Sequence, residues 1–256
     1  MTLGIFCLFC VFAAIDQNKL KTAALYLMAG LGGILCSILT GSRGTWLCLP
    51  PILLWLVWQY RHSVRSGVWI LTGVVTALAV LILLPESGMM VRIMEGYTNL
   101  QQYFSGENHD TSLGLRLQFW QSAWDGFLQK PLLGWGEENY YALKHAQYVQ
   151  GMISEQAVTF THAHNQFLDY AVKQGLLGVA ALLLLLLSSW RFFYRIAHTA
   201  KTQNQRNAAQ CGQILLFCTL TFCLSDVFLS LQLGMVFFAV TLTLLTGMCL
   251  QESKNV

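Results

Sequence analysis

The sequence predicts an all-α protein that crosses a membrane repeatedly, and three observations carry that prediction. Hydrophobic residues make up 55% of the chain and charged residues only 11%, against roughly 25% charged in a soluble globular protein. The apolar residues come in long runs that one soluble core could not bury, not in the short alternating segments of a β-barrel. The basic residues gather in every second connection between those runs, the pattern of loops that stay in the cytoplasm. The net charge of +3 says little about partners once this segregation is seen, and no nucleic-acid partner is expected.

Seven apolar segments follow one another along the chain. Met1–Ile15 is short for a span and lacks the basic leader of a signal peptide. Thr22–Thr40 is a full span whose Gly30, Gly32 and Gly33 would let another helix come close. Thr45–Trp58 is short, and Pro50-Pro51 should kink it. Val68–Leu84 is the fourth, Phe167–Trp190 the fifth, Cys211–Leu231 the sixth and Met235–Leu250 the seventh. About 20 apolar residues are needed to cross ~30 Å of hydrocarbon, so the first and third are the weakest members of the set. All eight cysteines lie in or at the edges of these runs. Cys7 and Cys10 have C-x-x-C spacing, but no second pair or nearby histidine completes a zinc site, and small apolar fillers is the better reading.

Charge sets the orientation. Lys19 and Lys21 lie in the first connection, Arg61 and Arg65 in the third, and Arg191, Arg195, Lys201 and Arg206 in the one after the fifth segment. Between Pro85 and Asn165 there are eight acids against four bases. Alternation puts the basic connections in the cytoplasm and the long one outside. Three regions result: N-terminal membrane helices over 1–84, an external loop over 85–165, and C-terminal membrane helices over 166–256. An odd number of spans with a cytoplasmic C-terminus places Met1 outside with no signal to take it there. The simplest explanation is a chain that is the C-terminal part of a longer protein; the alternative is that Met1–Ile15 does not span.

Chemistry-bearing residues collect on the external side. The short turn at 40–44 reads T-G-S-R-G, with Gly41 and Gly44 free to bring the backbone close to a ligand. Arg43 there is a lipid-anchored snorkelling arginine or a fixed guanidinium for phosphate, whose oxygens its planar fork suits. The external loop is too long, at about 80 residues, to lack helices of its own. Leu115–Leu128 spaces Leu117, Trp120, Trp124 and Phe127/Leu128 as an amphipathic helix that lies on the membrane or packs on the bundle, with Arg116 in its first turn and Pro131 after its end. Glu137–Gln156 reads as a second, polar helix carrying Tyr140, Tyr141, His145 and Tyr148, a stripe that suits packing better than sugar binding. The loop ends in T-F-T-H-A-H-N, where His162 and His164 stand at the mouth of the fifth segment. A ring that titrates near neutral pH in that position is a candidate proton acceptor. Asp169 and Lys173 are spaced i, i+4 with the acid first and should pair locally. Asp226, in the outer part of the sixth span, is costly without a partner; it pairs with an arginine or histidine of the site, or it lies near the aqueous face.

With these residues in view, the chain resembles the O-antigen ligase family and its relatives, the oligosaccharide polymerases and protein O-oligosaccharyltransferases. Three blocks carry the resemblance, all on the external side: S-R-G at Ser42–Gly44; R-x-x-x-W at Arg116–Trp120 with P-L-L-G-W-G at Pro131–Gly136; and His164-Asn165, nine residues, then Gly175 and Gly178 as G-x-x-G. They cover roughly 40–190. The resemblance implies a GT-C-like helical bundle of a dozen spans, of which this chain would hold about seven plus a long helical periplasmic loop. It implies an inner-membrane, metal-independent, inverting glycosyltransferase that uses no nucleotide sugar and no cofactor. The donor would be a glycan on undecaprenyl diphosphate, and the acceptor lipid A core; another repeat unit or a protein hydroxyl are the alternatives. Arg43 and Arg116 would bind the diphosphate and stabilise the leaving group, and His164 would take the acceptor proton. Asn165 would orient the ring or a sugar hydroxyl, and the two glycines would let the fifth helix pack tightly. His162 is a candidate substrate contact that the family pattern does not require.

Two other readings compete. A two-histidine metal site would need a third ligand such as Glu155, Asp169 or His145, at no recognisable spacing. A transporter would suit the Gly/Pro-broken spans and intramembrane charges, but not the long external loop that ends in histidines.

Overall fold

The computed structural model of the chain describes residues 2–16, 19–39 and 89–254. It is helical, with no strand among the described residues. The helices are α1 (Thr2–Asp16), α2 (Leu20–Leu39), α3 (Met89–Ser105), α4 (Ser112–Gln129), α5 (Glu137–Val149), α6 (Glu155–Val158), α7 (Gln166–Thr199), α8 (Gln203–Ser225) and α9 (Gln232–Lys254). Among the described residues four helices are long and apolar enough to cross a membrane: α2, α7, α8 and α9; α1 contributes only a shorter apolar stretch, Thr2–Val11. The expected spans Thr45–Trp58 and Val68–Leu84, and Arg43, lie outside the described residues.

The chain divides into two compact units, one of residues 1–83, 188–222 and 233–256, the other of 84–187 and 223–232. In the first, α1 packs on α2 through glycines. A Cβ at Gly33 would stand 3.0 Å from Gly4 Cα, and one at Gly30 would stand 2.7 Å from the Leu8 side chain. Gly32, on another face, meets nothing within 4 Å. Elsewhere in this unit Gln205 Nε2 donates to Cys249 O at 2.9 Å, and the Phe193 ring covers Gly212. The basic connection after the fifth segment is shorter than the sequence suggests, because α7 continues to Thr199 and takes Arg191 and Arg195 into its last turns.

The second unit is built on α4, α5, α6 and the start of α7. Thr111 caps α4, its hydroxyl accepting from Gly114 N at 3.1 Å. The buried residues of α4 are Gly114, Leu115, Gln118, Phe119, Ser122, Ala123 and Gly126, while Trp124 and Leu128 of the large apolar stripe are exposed. Small residues are buried there because they admit neighbours: a Cβ at Gly126 would press on Leu143 of α5 and stand 2.8 Å from Val172 of α7. Trp124 is left outward, as a membrane-surface helix would leave it, while Phe119 is buried and Trp120 packs against the core. The predicted polar helix over 137–156 is two helices, α5 and α6, separated by Gly151 at φ 73°. The buried face of α5 is Tyr140, Leu143, Lys144 and Gln147, at i, i+3, i+4 and i+7. Ser122 Oγ donates to Gln147 Oε1 at 2.6 Å, and Gln147 Nε2 returns a bond to Ser122 O at 3.1 Å.

The Pro131–Gly136 turn and Gly175, the first glycine of the G-x-x-G, form one construction. α7 is broken at Gly175 (φ 66°, ψ −160°), a conformation open to glycine and costly for other residues. Into that break the 131–136 turn inserts its backbone. Trp135 N donates to Val172 O and Gly136 N to Lys173 O, both at 2.8 Å, while Leu176 N donates to Pro131 O at 2.8 Å. The turn thus satisfies polar groups that the broken helix leaves open. Gly134 (φ 69°) and Gly175 sit where backbones touch: a Cβ at Gly134 would fall on the Lys173 carbonyl carbon, and one at Gly175 on the Leu132 carbonyl. Gly175 therefore serves a helix break filled by a turn, not close packing between unbroken helices. Gly175→Ala should cost at least about 2 kcal/mol of stability, read as a lower thermal midpoint in detergent, whereas Gly32→Ala should change it by less than about 0.5 kcal/mol.

Candidate functional site

The site lies in the second unit, where the segment 159–165 leads from α6 into α7. Asn165 begins α7 by accepting at Oδ1 from Phe167 N (3.0 Å) and Leu168 N (3.2 Å), the side-chain cap that a helix N-terminus needs. Its amide Nδ2 donates to Leu224 O at 3.2 Å. Gln166, fully buried, donates to Ser230 Oγ at 2.7 Å and accepts from Leu229 N at 2.8 Å. Two consecutive side chains at the start of α7 thereby hold the 224–230 segment, which carries Asp226 just past the end of α8.

That attachment brings Asp226 to the histidines. Its Oδ1 lies 3.2 Å from His164 Nδ1 and 3.7 Å from His162 Nε2. The His164 contact is an ion-pair separation without hydrogen-bond alignment, since Nδ1 is buried and makes no hydrogen bond. The two imidazole rings stand 4.3 Å apart. Phe119 of α4 stacks on His164 at 5.6 Å with 23° between the rings, and Phe160 meets it edge-on at 5.8 Å. His164 itself has φ 48°, a left-handed conformation uncommon outside glycine and worth attention at a functional position.

The electrostatics divide the labour. Burial and the neighbouring His164 push His162 below the ordinary histidine range, with Asp226 and Asp169 pulling the other way. Burial pushes the Asp226 carboxyl up, but the His164 ring, the Val227 amide and His162 together outweigh it, and the net direction is below the usual carboxylate range. Near neutral pH the cluster therefore contains a carboxylate anion facing imidazole nitrogen.

Beneath the histidines the backbone is fastened by charged side chains. Lys144, 1% exposed, donates from Nζ to Ala157 O at 2.9 Å and to Phe160 O. Lys173 Nζ donates to Thr161 O at 2.9 Å and to Glu137 Oε1 at 2.8 Å, and pairs with Asp169 Oδ2 at 3.2 Å. Asp169 Oδ1 accepts from Ala163 N at 3.0 Å. The expected i, i+4 pair of Asp169 and Lys173 is present, with a second acid, Glu137, on the same ammonium. Burial pushes Lys144 down to about 8, with Lys173 adding to the push and Asp169 opposing it.

Of the residues the sequence singles out, His162, His164, Asn165 and Asp226 are gathered here. Arg116 belongs to α4, three residues before Phe119, so the two share a helix face. It forms no ion pair among the described residues. Glu155, Asp169 and His145, the expected third metal ligands, do not join His162 and His164; Asp226 does. Lys144 and Gln166 were missed by the sequence reading, although the buried period of α5 does include position 144.

The chain matches the model of a family described as O-antigen ligase (Wzy_C) over residues 23–183, an interval that contains all three sequence blocks. It is also similar to an uncharacterized protein of Haemophilus influenzae, at 27% identity over 226 residues, 87% of this chain and 56% of that protein. The chain thus spans about half the length of that curated relative.

Lys144 gives this unit a pH signature. Its folded value of about 8 lies below the unfolded value of about 10.4, so between them the unfolded state binds more protons and stability rises with pH. Thermal midpoints measured from pH 8 to 10 should show that rise in the wild type. Lys144→Met should remove this contribution. It should also lower the midpoint, because the carbonyls of Ala157 and Phe160 lose their donor, at about 1–3 kcal/mol for each group left buried and unpaired.

Proposed function

Because this chain belongs to the O-antigen ligase family, we propose that it is a membrane glycosyltransferase that moves a glycan from undecaprenyl diphosphate to lipid A core. On this reading it lies in the bacterial inner membrane with its site facing the periplasm. Membrane helices over 1–84 and 166–256, about seven spans in a GT-C-like bundle, flank the periplasmic loop 85–165.

The observation that carries the proposal is His164 beside Asp226 on a fastened segment at the mouth of α7. A carboxylate 3.2 Å from Nδ1 favours the tautomer with its proton there, which leaves the lone pair on Nε2. That nitrogen takes the proton of the acceptor hydroxyl as its oxygen attacks the anomeric carbon. The bond from that carbon to the diphosphate oxygen breaks in the same displacement, so the anomeric centre inverts. Asp226 holds the imidazolium that results. The diphosphate leaves with the bonding electron pair, and Arg43 and Arg116 neutralise its charge with guanidinium geometry suited to phosphate oxygens. Arg116 is suited to this because no described acid occupies it. His162, beside His164 and partly exposed, contacts the substrate, and Asn165 does so while capping α7. No step calls on a metal or cofactor.

His164→Ala should lower transfer by about 10²–10⁴-fold, and Arg43→Ala should abolish it, in protein that still inserts into the membrane; full activity of either variant removes that residue from the mechanism. Deleting the gene separates the acceptors. Lipid A core without its polymer, with lipid-linked polymer accumulating, identifies a ligase. Loss of polymer beyond a single repeat identifies a polymerase, and unglycosylated surface proteins identify an O-oligosaccharyltransferase.

A further inference from the structure

We propose that His162, His164 and Asp226 form a reversible zinc site whose occupancy switches the histidine site off. Each of the three offers one donor atom, and these atoms all lie within 4.8 Å of one another. Donors bonded to a tetrahedral zinc at about 2.0–2.1 Å stand roughly 3.3 Å apart. Asp226 Oδ1 is 3.2 Å from His164 Nδ1 and 3.7 Å from His162 Nε2, and the two histidine donors lie within 4.8 Å of each other, so the rings need to close by about 1.5 Å at most. Two imidazoles and a carboxylate are a borderline-soft donor set that suits zinc and disfavours magnesium and calcium, which require mostly oxygen. Three protein ligands leave the fourth position open to solvent.

A second observation points the same way. Nδ1 of His164 is buried and makes no aligned hydrogen bond, yet the Asp226 carboxylate stands 3.2 Å away, so the ion would take the place of a proton between two donors that already face each other. The ligands are also held in place without the ion. Asn165 and Gln166 fasten the segment bearing Asp226, and Asp169 fastens the backbone between the two histidines at Ala163. His162, which stands outside the H-N motif, acquires a role as a ligand in this arrangement.

The effect on chemistry follows from the proton count of the ring, and this part rests on the proposed transfer reaction. A neutral imidazole carries one proton. When Nδ1 binds zinc, that proton resides on Nε2, and the nitrogen that would accept the acceptor proton has no lone pair left. Zinc therefore opposes transfer, and its removal by a chelator restores it with nothing consumed.

The test uses the full chain purified in detergent. Zinc chloride is titrated in metal-free buffer against a chromogenic chelator, and cobalt(II) is titrated in parallel for its tetrahedral absorption bands. One zinc per chain is expected, with affinity weakened on the order of tenfold or more in His162→Ala, in the closer replacement His162→Gln, and in Asp226→Asn. Circular dichroism checks that each variant is folded. Transfer is followed relative to each protein's own zinc-free rate: zinc stops the wild type, EDTA restores it, and whatever rate His162→Gln retains resists zinc. No zinc retained at tens of micromolar, or binding unaltered by all three substitutions, overturns the site. Binding without inhibition overturns the switch. Absence of transfer by the zinc-free wild type counts against the proposed reaction and leaves the binding result to stand by itself.

Discussion

The site depends on the side chain of Gln166, which is fully buried and bonds the 229–230 backbone and hydroxyl from the first turn of α7. A buried amide is tolerated only when its donors and acceptors are paired, and here the pairing spans more than sixty positions of sequence. Asn165 adds a bond to Leu224 from the neighbouring position. Between these two anchors the chain has little choice but to present Asp226 to the histidines. Asn165 and Gln166, directly after His164, are thus a fastening device, and the separation of Asp226 from the histidines in sequence is no obstacle to their meeting.

A second layer of constraint comes from charge. Lys144, Lys173 and Asp169 are buried, and each is used to hold backbone of the 157–163 segment. Irregular backbone in an apolar setting needs such partners, because its N–H and C=O groups have no helix to pair with. The same logic explains the break at Gly175, where the 131–136 turn supplies the missing bonds. In this unit the buried charges serve backbone where helix is broken or absent, while the unbroken helices α4 and α5 share the Ser122–Gln147 pair within otherwise mainly apolar packing.

Much of this was legible in the sequence, for identifiable reasons. The spans Thr22–Thr40, Phe167–Trp190, Cys211–Leu231 and Met235–Leu250 correspond to α2, α7, α8 and α9 because length and composition decide them. The Asp169–Lys173 pair was legible because i, i+4 spacing is local. The buried face of α4 was only partly legible, since Leu115 and Phe119 are large and apolar but α5 and α7 come close at Gly126, which gives no periodic signal. Lys144 was hidden because a lysine reads as solvated until its carbonyl partners are known. Asp226 stood out as an acid in need of a partner, but only folding could choose between an arginine, a histidine and water. The meeting of Pro131–Gly136 with Gly175 was likewise invisible, as it is made by backbone atoms.

The claim most exposed to measurement is that Asp226 fixes the proton of His164 on Nδ1 and leaves Nε2 as the base. Nitrogen-15 NMR of histidine-labelled protein in metal-free buffer, with the His164 signals assigned by difference from His164→Gln, reads the tautomer directly. The account predicts, for the neutral ring, a protonated Nδ1 and a bare Nε2. A neutral His164 ring protonated at Nε2 would contradict it.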